Sequence, residues 1–252
     1  MIDLHTHILP GLDDGPPTLA GSVAIARAAV ADGTTAVAAT PPVNPRFRTT
    51  PDQMERALTT LRAALAAAAV PLDVLPGGEI ALEPLPTLAP EDLARFGLGG
   101  NPRVLLVETP YSGWPTALLG QIVALGDRGI RPVLAHPERN AVVQADRTGL
   151  RALVAAGALV QVTAASLDGR LGRRSKAVAS ALLDEDLVHL VASDAHTPDV
   201  RAIGLSSVVH AVDDERLARW LTQEMPAALV AGDPLPPRPP RASKRRFRLF
   251  AR

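Results

Sequence analysis

The feature that most constrains this chain is an alternation of short apolar runs with longer Ala-, Leu- and Arg-rich segments. The short runs are 1–4 (MIDL), 36–40 (AVAAT), 73–80 (DVLPGGEI), 103–108 (RVLLVE), 131–136 (RPVLAH), 158–163 (ALVQVT) and 187–193 (LVHLVAS). They are apolar without a strict period of two, the pattern of parallel strands buried on both faces. The segments between them, 18–32, 51–69, 115–128, 146–156 and 175–185, read as helices. Thr50-Pro51 and Trp114-Pro115 supply first-turn prolines, and Gly33, Gly129 and Gly157 supply stops. Strand–helix alternation predicts an α/β fold with a parallel sheet and helices outside it. Seven strands point to a TIM-like (β/α) barrel; an open doubly wound sheet is the alternative.

Composition narrows the function. With 252 residues, 47% of them apolar, the chain can build one large core. Aromatics are only 3%, so Ala, Leu and Val must fill it. Cysteine is absent, which excludes a disulfide scaffold, thiolate metal ligation and a Cys nucleophile. That fits a reducing, cytoplasmic compartment. The formal net charge is zero, and the barrel segments carry no basic stripe with interleaved aromatics, so no nucleic-acid partner is expected. The N-terminus lacks the basic-then-apolar order of a signal peptide. No uncharged apolar run reaches the roughly 18 residues of a membrane span. Residues 1–233 are expected to form the folded unit. Segment 234–240 (PLPPRPP) and the basic segment 241–252 (RASKRRFRLFAR) read as an extended, disordered tail. Its cations and two Phe would suit an acidic lipid surface or a partner protein.

The chemistry gathers at the C-terminal ends of the strands. His5 and His7 end the first, with Asp13 and Asp14 in the next loop. Glu79, Glu108 and His136 end the third, fourth and fifth. Asp194 and His196 follow the seventh. In parallel α/β folds that edge carries the ligand site. His-x-His on a strand puts both imidazoles on one face, because side chains alternate with period two. Imidazole with carboxylate suits Zn, Mn or Fe. Eight candidate ligands exceed the four of one tetrahedral zinc and suffice for two or three cations sharing carboxylates. Each signal alone is weak: a carboxylate ending a strand is often a solvated loop entry. Together, a purely structural role would leave several buried charges uncompensated. His189 and His210 stand apart and read as structural or surface residues.

The residues also resemble a known family. The opening MIDLHTHILPGLDDGP, Gly78-Glu79-Ile80, Val107-Glu108, Ala135-His136-Pro137-Glu138-Arg139 and Ala192-Ser193-Asp194-Ala195-His196 are similar, in order, to the polymerase and histidinol phosphatase superfamily. More narrowly they resemble its bacterial tyrosine-phosphatase branch, which regulates capsular and exopolysaccharide synthesis. The resemblance implies a distorted seven-stranded barrel and a trinuclear, commonly manganese-supported site. It assigns His5, His7, Glu79 and Asp194 to one metal. Glu79, Glu108 and His136 would hold a second, with Glu79 bridging, and Asp14 and His196 would help hold a third. Arg139 would contact the phosphoryl oxygens, a role suited to its planar fork of donors. The sequence departs from the family pattern at Pro42, where a further His ligand is expected. Asn44 offers an amide oxygen nearby. Arg201 stands where the branch carries an Arg-Pro-Pro stretch and is a second candidate for the phosphate.

The expected activity is metal-dependent hydrolysis of phosphomonoesters, chiefly phosphotyrosine in proteins such as a polysaccharide-synthesis tyrosine kinase. No covalent phosphoenzyme is expected. His196 is a candidate proton donor if the third metal is missing. A small-molecule phosphatase, acting on histidinol phosphate or a nucleotide, is the alternative enzyme. A degenerate metal-binding regulator is the alternative outside enzymes, favoured by Pro42.

Overall fold

The computed structural model describes residues 1–198 and 202–240. Arg201 and the basic segment 241–252 therefore lie outside the described residues. Nine strands are described: β1 (Ile2–Thr6), β2 (Ala36–Ala39), β3 (Pro42–Val43), β4 (Asp73–Leu75), β5 (Glu79–Ala81), β6 (Val104–Glu108), β7 (Arg131–Ala135), β8 (Leu159–Thr163) and β9 (Leu190–Ala192). They form two parallel sheets, β1-β2-β4 and β3-β5-β6-β7-β8-β9. The helices between them are α1 (Leu19–Ala31), α2 (Pro51–Ala67), α3 (Pro90–Arg95), α4 (Leu118–Asp127), α5 (Ala141–Ala145), α6 (Thr148–Ala155), α7 (Ala164–Asp168) and α8 (Arg173–Asp184). After β9 come α9 (Ser207–Val212), α10 (Glu215–Arg219) and α11 (Met225–Ala231).

Local sequence explains the long helices. Thr50 accepts from the Gln53 N–H while the Gln53 side chain accepts from Thr50, a reciprocal cap that starts α2 at Pro51. Thr18 caps α1 in the simpler way. On α2 the buried residues Met54, Leu58, Leu61 and Leu65 recur at three- and four-residue spacing. Strands such as β6 (VLLVE) are buried along nearly their whole length, as apolar runs covered on both faces must be.

One of the seven expected strands is interrupted. The run 73–80 splits into β4 and β5 at Pro76-Gly77-Gly78, so Glu79 opens a strand instead of ending one. Proline cannot donate to a ladder, and a Cβ on Gly78 would sit 2.6 Å from the buried Phe96 ring. The second run forms β2, and a further short strand, β3, follows it at Pro42, where sequence analysis expected none. The chain thus changes sheet three times, at β2–β3, β3–β4 and β4–β5. Hydrogen bonds between the end of β1 and the residues after β9 tie the sheets: Asp194 N–H to His5 O and His7 N–H to Ala195 O, both at 2.9 Å.

The expected tail also needs correction. Residues 234–240 are extended but lie against the body. Leu235 packs on the core, and the Trp220 indole N–H donates to Pro236 O at 3.1 Å. Arg238 reaches Asp186 at 3.1 Å and Val188 O, with its guanidinium over the Trp220 ring. A proline-rich segment has little conformational freedom to lose, so a few such contacts hold it.

His189 sits beside this strap and is structural, as its isolation implied. Its N–H donates to Val160 O at 2.9 Å and its Nδ1 accepts from Val160 N–H at 3.1 Å. The neutral ring thus extends the β8–β9 ladder. Burial, then the Arg238 charge, push its pKa down to about 4. The unfolded value is about 6.5, so between the two pH values the unfolded chain binds the extra proton. This contribution is complete above about pH 6.5 and is lost as pH falls towards 4, by about 3 kcal/mol at most. Urea unfolding of His189→Gln should show a shallower loss of stability across this window than the parent chain; parallel curves would contradict the reading.

Candidate metal centre

The centre begins with how two distant strand ends are joined. His5 lies in β1 and His7 just beyond it, while Asp194 and His196 follow β9. The Asp194 N–H donates to His5 O, and the His7 N–H to Ala195 O, both at 2.9 Å. Below them Asp3 Oδ1 accepts from the N–H groups of His5 (3.2 Å) and Ser193 (3.0 Å). Asp3 is fully buried, and that burial raises its pKa to about 6. Residues 190 apart in the chain are thereby fixed side by side.

The other contributors arrive from neighbouring strands. Glu79 opens β5, Glu108 ends β6, and His136 follows β7. His136 and Asp194 both hold left-handed backbone, with φ of 36° and 53°. Such conformations are unfavourable for non-glycine residues and concentrate at functional sites.

The side chains converge. His5 Nε2 lies 3.4 Å from Glu79 Oε1 and 3.5 Å from Asp194 Oδ1. His7 Nε2 lies 3.4 Å from Glu79 Oε2 and 3.4 Å from Asp194 Oδ1. His136 Nε2 meets Glu79 Oε1 at 2.9 Å. His196 Nε2 lies 3.2 Å from Asp14 Oδ1, and its ring stacks on that of His7 with centroids 3.8 Å apart. Among the described residues, three triads have ligand atoms all within 4.8 Å of one another: His5–Glu79–His136, His5–His7–Asp194 and His7–Asp14–His196. Seven of the eight expected ligands are in them. Glu108 is in none, but it feels the cluster: burial, then the Glu79 charge, raise its pKa to about 7.

The donor set fits divalent cations. The Nε2 atoms of His5 and His7 are buried and have no hydrogen-bond partner among the described residues. Their spacing from the carboxylates is long for hydrogen bonds, yet about 3.4 Å is the ligand–ligand edge of a tetrahedral shell with bonds of about 2.1 Å. The opposite ring nitrogens are committed elsewhere: His5 Nδ1 is 2.9 Å from Gln161 Oε1, and His7 Nδ1 is 2.9 Å from Asp13 Oδ2. Each oxygen accepts the Nδ1 proton and leaves the Nε2 lone pair facing inward, the usual arrangement of metal-ligating histidines. Protons otherwise supply the positive charge. Burial opposes a charged His7, but Asp13, Glu79 and Asp194 outweigh it and raise its pKa to about 10. Burial likewise opposes a charged Glu79, and the His5 and His136 imidazoles outweigh it, holding that carboxyl well below the usual range.

With this geometry in place, the comparisons decide the family. Residues 1–226 match the family model described as capsular polysaccharide synthesis, CpsB/CapC. The chain belongs to the CpsB/CapC family. It is 34% identical over 252 residues to the tyrosine-protein phosphatase YwqE of Bacillus subtilis, covering 98% of each chain. It is 28% identical over 221 residues to the tyrosine-protein phosphatase CpsB of Streptococcus agalactiae, covering 80% of this chain and 85% of that one. A crystal structure from work on YwqE of Bacillus subtilis and CpsB of Streptococcus pneumoniae, described as unique metal-dependent tyrosine phosphatases, superposes with a TM-score of 0.86. That match has 33% identity and covers 96% of this chain and all of the other.

Other residues of this CpsB/CapC protein fall as follows. Arg139 NH1 donates to Asp194 Oδ2 at 2.6 Å, so the guanidinium sits against the cluster. Pro42 is buried in β3, in register with Glu79, and offers no side-chain donor. Asn44 does not replace the missing ligand: its Oδ1 accepts from the N–H groups of Arg46 (3.0 Å) and Phe47 (2.8 Å) in a turn. Sequence reasoning gave no role to Asp13, Gln161, Glu138 or Tyr111. Gln161 carried a signal, as the polar residue within LVQVT. Glu138 is fully buried and accepts from Thr163 N–H at 3.0 Å and Ser166 Oγ–H at 2.7 Å, anchoring the turn that bears Arg139.

Removing an outer partner of a ligating histidine typically lowers metal affinity about 10–100-fold. Asp13→Asn should weaken divalent-cation binding by that factor in calorimetric titration; unchanged affinity would contradict the role given to Asp13.

Proposed function

We propose that this chain is a divalent-metal-dependent protein-tyrosine phosphatase acting in the control of polysaccharide synthesis. The observation that carries the reading is the pair of buried, unpartnered imidazole nitrogens between Glu79 and Asp194. Family membership and the printed activity of its relatives supply the reaction class. We read the two sheets as one distorted seven-stranded barrel, counting β2 with β3 and β4 with β5 as single staves. Residues 1–233 would then be the catalytic unit.

His5, His7, Glu79 and Asp194 would hold one cation; Glu79, Glu108 and His136 a second; Asp14 and His196 part of a third. When bound, such cations act as Lewis acids on a phosphoryl group and lower the pKa of coordinated water. Manganese is the metal we favour, with zinc or iron served by the same ligands. Arg139 would exchange Asp194 for the phosphoryl oxygens and neutralise charge on them. His196 could hold a proton for the leaving oxygen where the third cation is absent. A tyrosinate, with a pKa of about 10, needs little such help. With no Cys in the chain, a thiol-phosphate intermediate is excluded. The substrate would be a phosphotyrosine protein such as a tyrosine kinase of polysaccharide synthesis, and the location cytoplasmic. Among the described residues no helix is long and apolar enough to cross a membrane.

Chelation should abolish hydrolysis of a phosphotyrosyl peptide and Mn²⁺ should restore it. His136→Ala should lower kcat/KM by about 100-fold or more, the scale of several kcal/mol of lost Lewis-acid stabilisation. Activity that survives exhaustive chelation would refute the mechanism. Faster turnover of small alkyl phosphomonoesters than of the peptide would favour the small-molecule phosphatase instead.

A further inference from the structure

Tyr111 is the chain's one tyrosine, and it is 49% exposed. Its exposure is enforced by a built loop. The Thr109 hydroxyl donates to Ala135 O at 2.7 Å, and the Ala141 N–H donates to Tyr111 O at 3.0 Å. The buried Asn140 amide donates to Gly113 O at 2.9 Å and to Pro110 O, while its Oδ1 accepts from the N–H groups of Val142 and Val143. The loop after β6 is therefore pinned on both sides of Tyr111, and the ring is held at the rim of the metal centre. It lies nearly parallel to the His136 imidazole, 7° between planes and 5.7 Å between centroids. The Arg139 guanidinium carbon is 4.8 Å from its centroid.

A single exposed aromatic needs no explanation by itself. This one stacks against a candidate metal ligand and against the candidate phosphate-binding guanidinium. A phosphomonoester whose phosphoryl oxygens engage Arg139 must project its leaving group past whatever flanks Arg139, and Tyr111 does. A phenol side chain is neutral at about pH 7. The rim thus offers an uncharged aromatic wall beside a strongly charged floor. An aryl leaving group would bury apolar area on that wall and gain ring–ring contact; an alkyl leaving group would gain little.

We infer that Tyr111 is a specificity-determining residue, whose exposed ring receives the aryl leaving group and favours aryl over alkyl phosphates at this centre. The inference rests on the phosphatase reading above. Calorimetric binding of phenylphosphonate and methylphosphonate to the metal-loaded protein tests it without requiring turnover. The wild type should bind the phenyl compound about tenfold more tightly, the scale of one aromatic contact with its buried area. Tyr111→Ala should erase most of that preference while leaving methylphosphonate affinity and metal content unchanged, and Tyr111→Phe should retain it. If the alanine variant fails to fold, Tyr111→Leu, which keeps apolar bulk without a π face, should lower the preference by the share that ring–ring contact supplies. An equal loss for both ligands would make Tyr111 a mere support for Arg139 and His136, and would overturn the inference. So would an unchanged preference, or a wild type that binds both ligands alike. A wild type that binds neither ligand and hydrolyses no phosphomonoester would instead sink the underlying phosphatase reading.

Discussion

The site depends on one joint, the pair of backbone hydrogen bonds between the end of β1 and the residues after β9. Through it His5 and His7 share a small volume with Asp194 and His196. The buried Asp3 carboxylate braces the joint from beneath by accepting from both segments. Without it, the His-x-His pair would present two imidazoles to solvent, where they bind cations weakly. With it, five strands deliver their polar ends to one place. The remainder of the fold, an Ala/Leu/Val core with capped helices outside, keeps those strands parallel and their ends level.

The second constraint is electrostatic. Burying Glu79 and Asp194 would be strongly unfavourable without positive charge nearby. The imidazoles of His5 and His7 take up protons to meet that need, which is why the carboxyl pKa values fall while those of the two histidines rise. Divalent cations would meet it better, because each brings two charges and would accept the lone pairs directly. Their binding would then displace protons. Asp13 and Gln161 hold the unused ring nitrogens and keep the lone pairs aimed inward. Arg139 sets a guanidinium against the Asp194 carboxylate at the edge of the cluster.

Much of this was legible in the sequence, for physical reasons. Parallel strands buried on both faces leave unbroken apolar runs, so all seven runs mark real strands, and the ligand-bearing residues punctuate them. Five helices fall within a few residues of their expected bounds, helped by local signals: Thr18 and Thr50 cap α1 and α2, and Gly33, Gly129 and Gly157 follow the ends of α1, α4 and α6 at positive φ. What was not legible depends on packing at a distance. Pro76-Gly77-Gly78 could have signalled a break in the run 73–80, but nothing local revealed that Gly78 meets Phe96 where Glu79 becomes a strand start. The helices α9 to α11 lack a clear period, and the strap at 234–240 is held by Trp220 and Asp186, which no local pattern links to it. Tyr111 stayed invisible because its meaning lies in the rings beside it.

The central claim is that imidazoles and carboxylates from five strands surround shared cations in one pocket. An anomalous-difference map from crystals of the manganese-loaded protein tests it most directly. The account predicts strong peaks among His5, His7, Glu79, His136 and Asp194, with any further peak beside Asp14 and His196. A map with no peak within this cluster, or with its peaks on another face of the molecule, would contradict it.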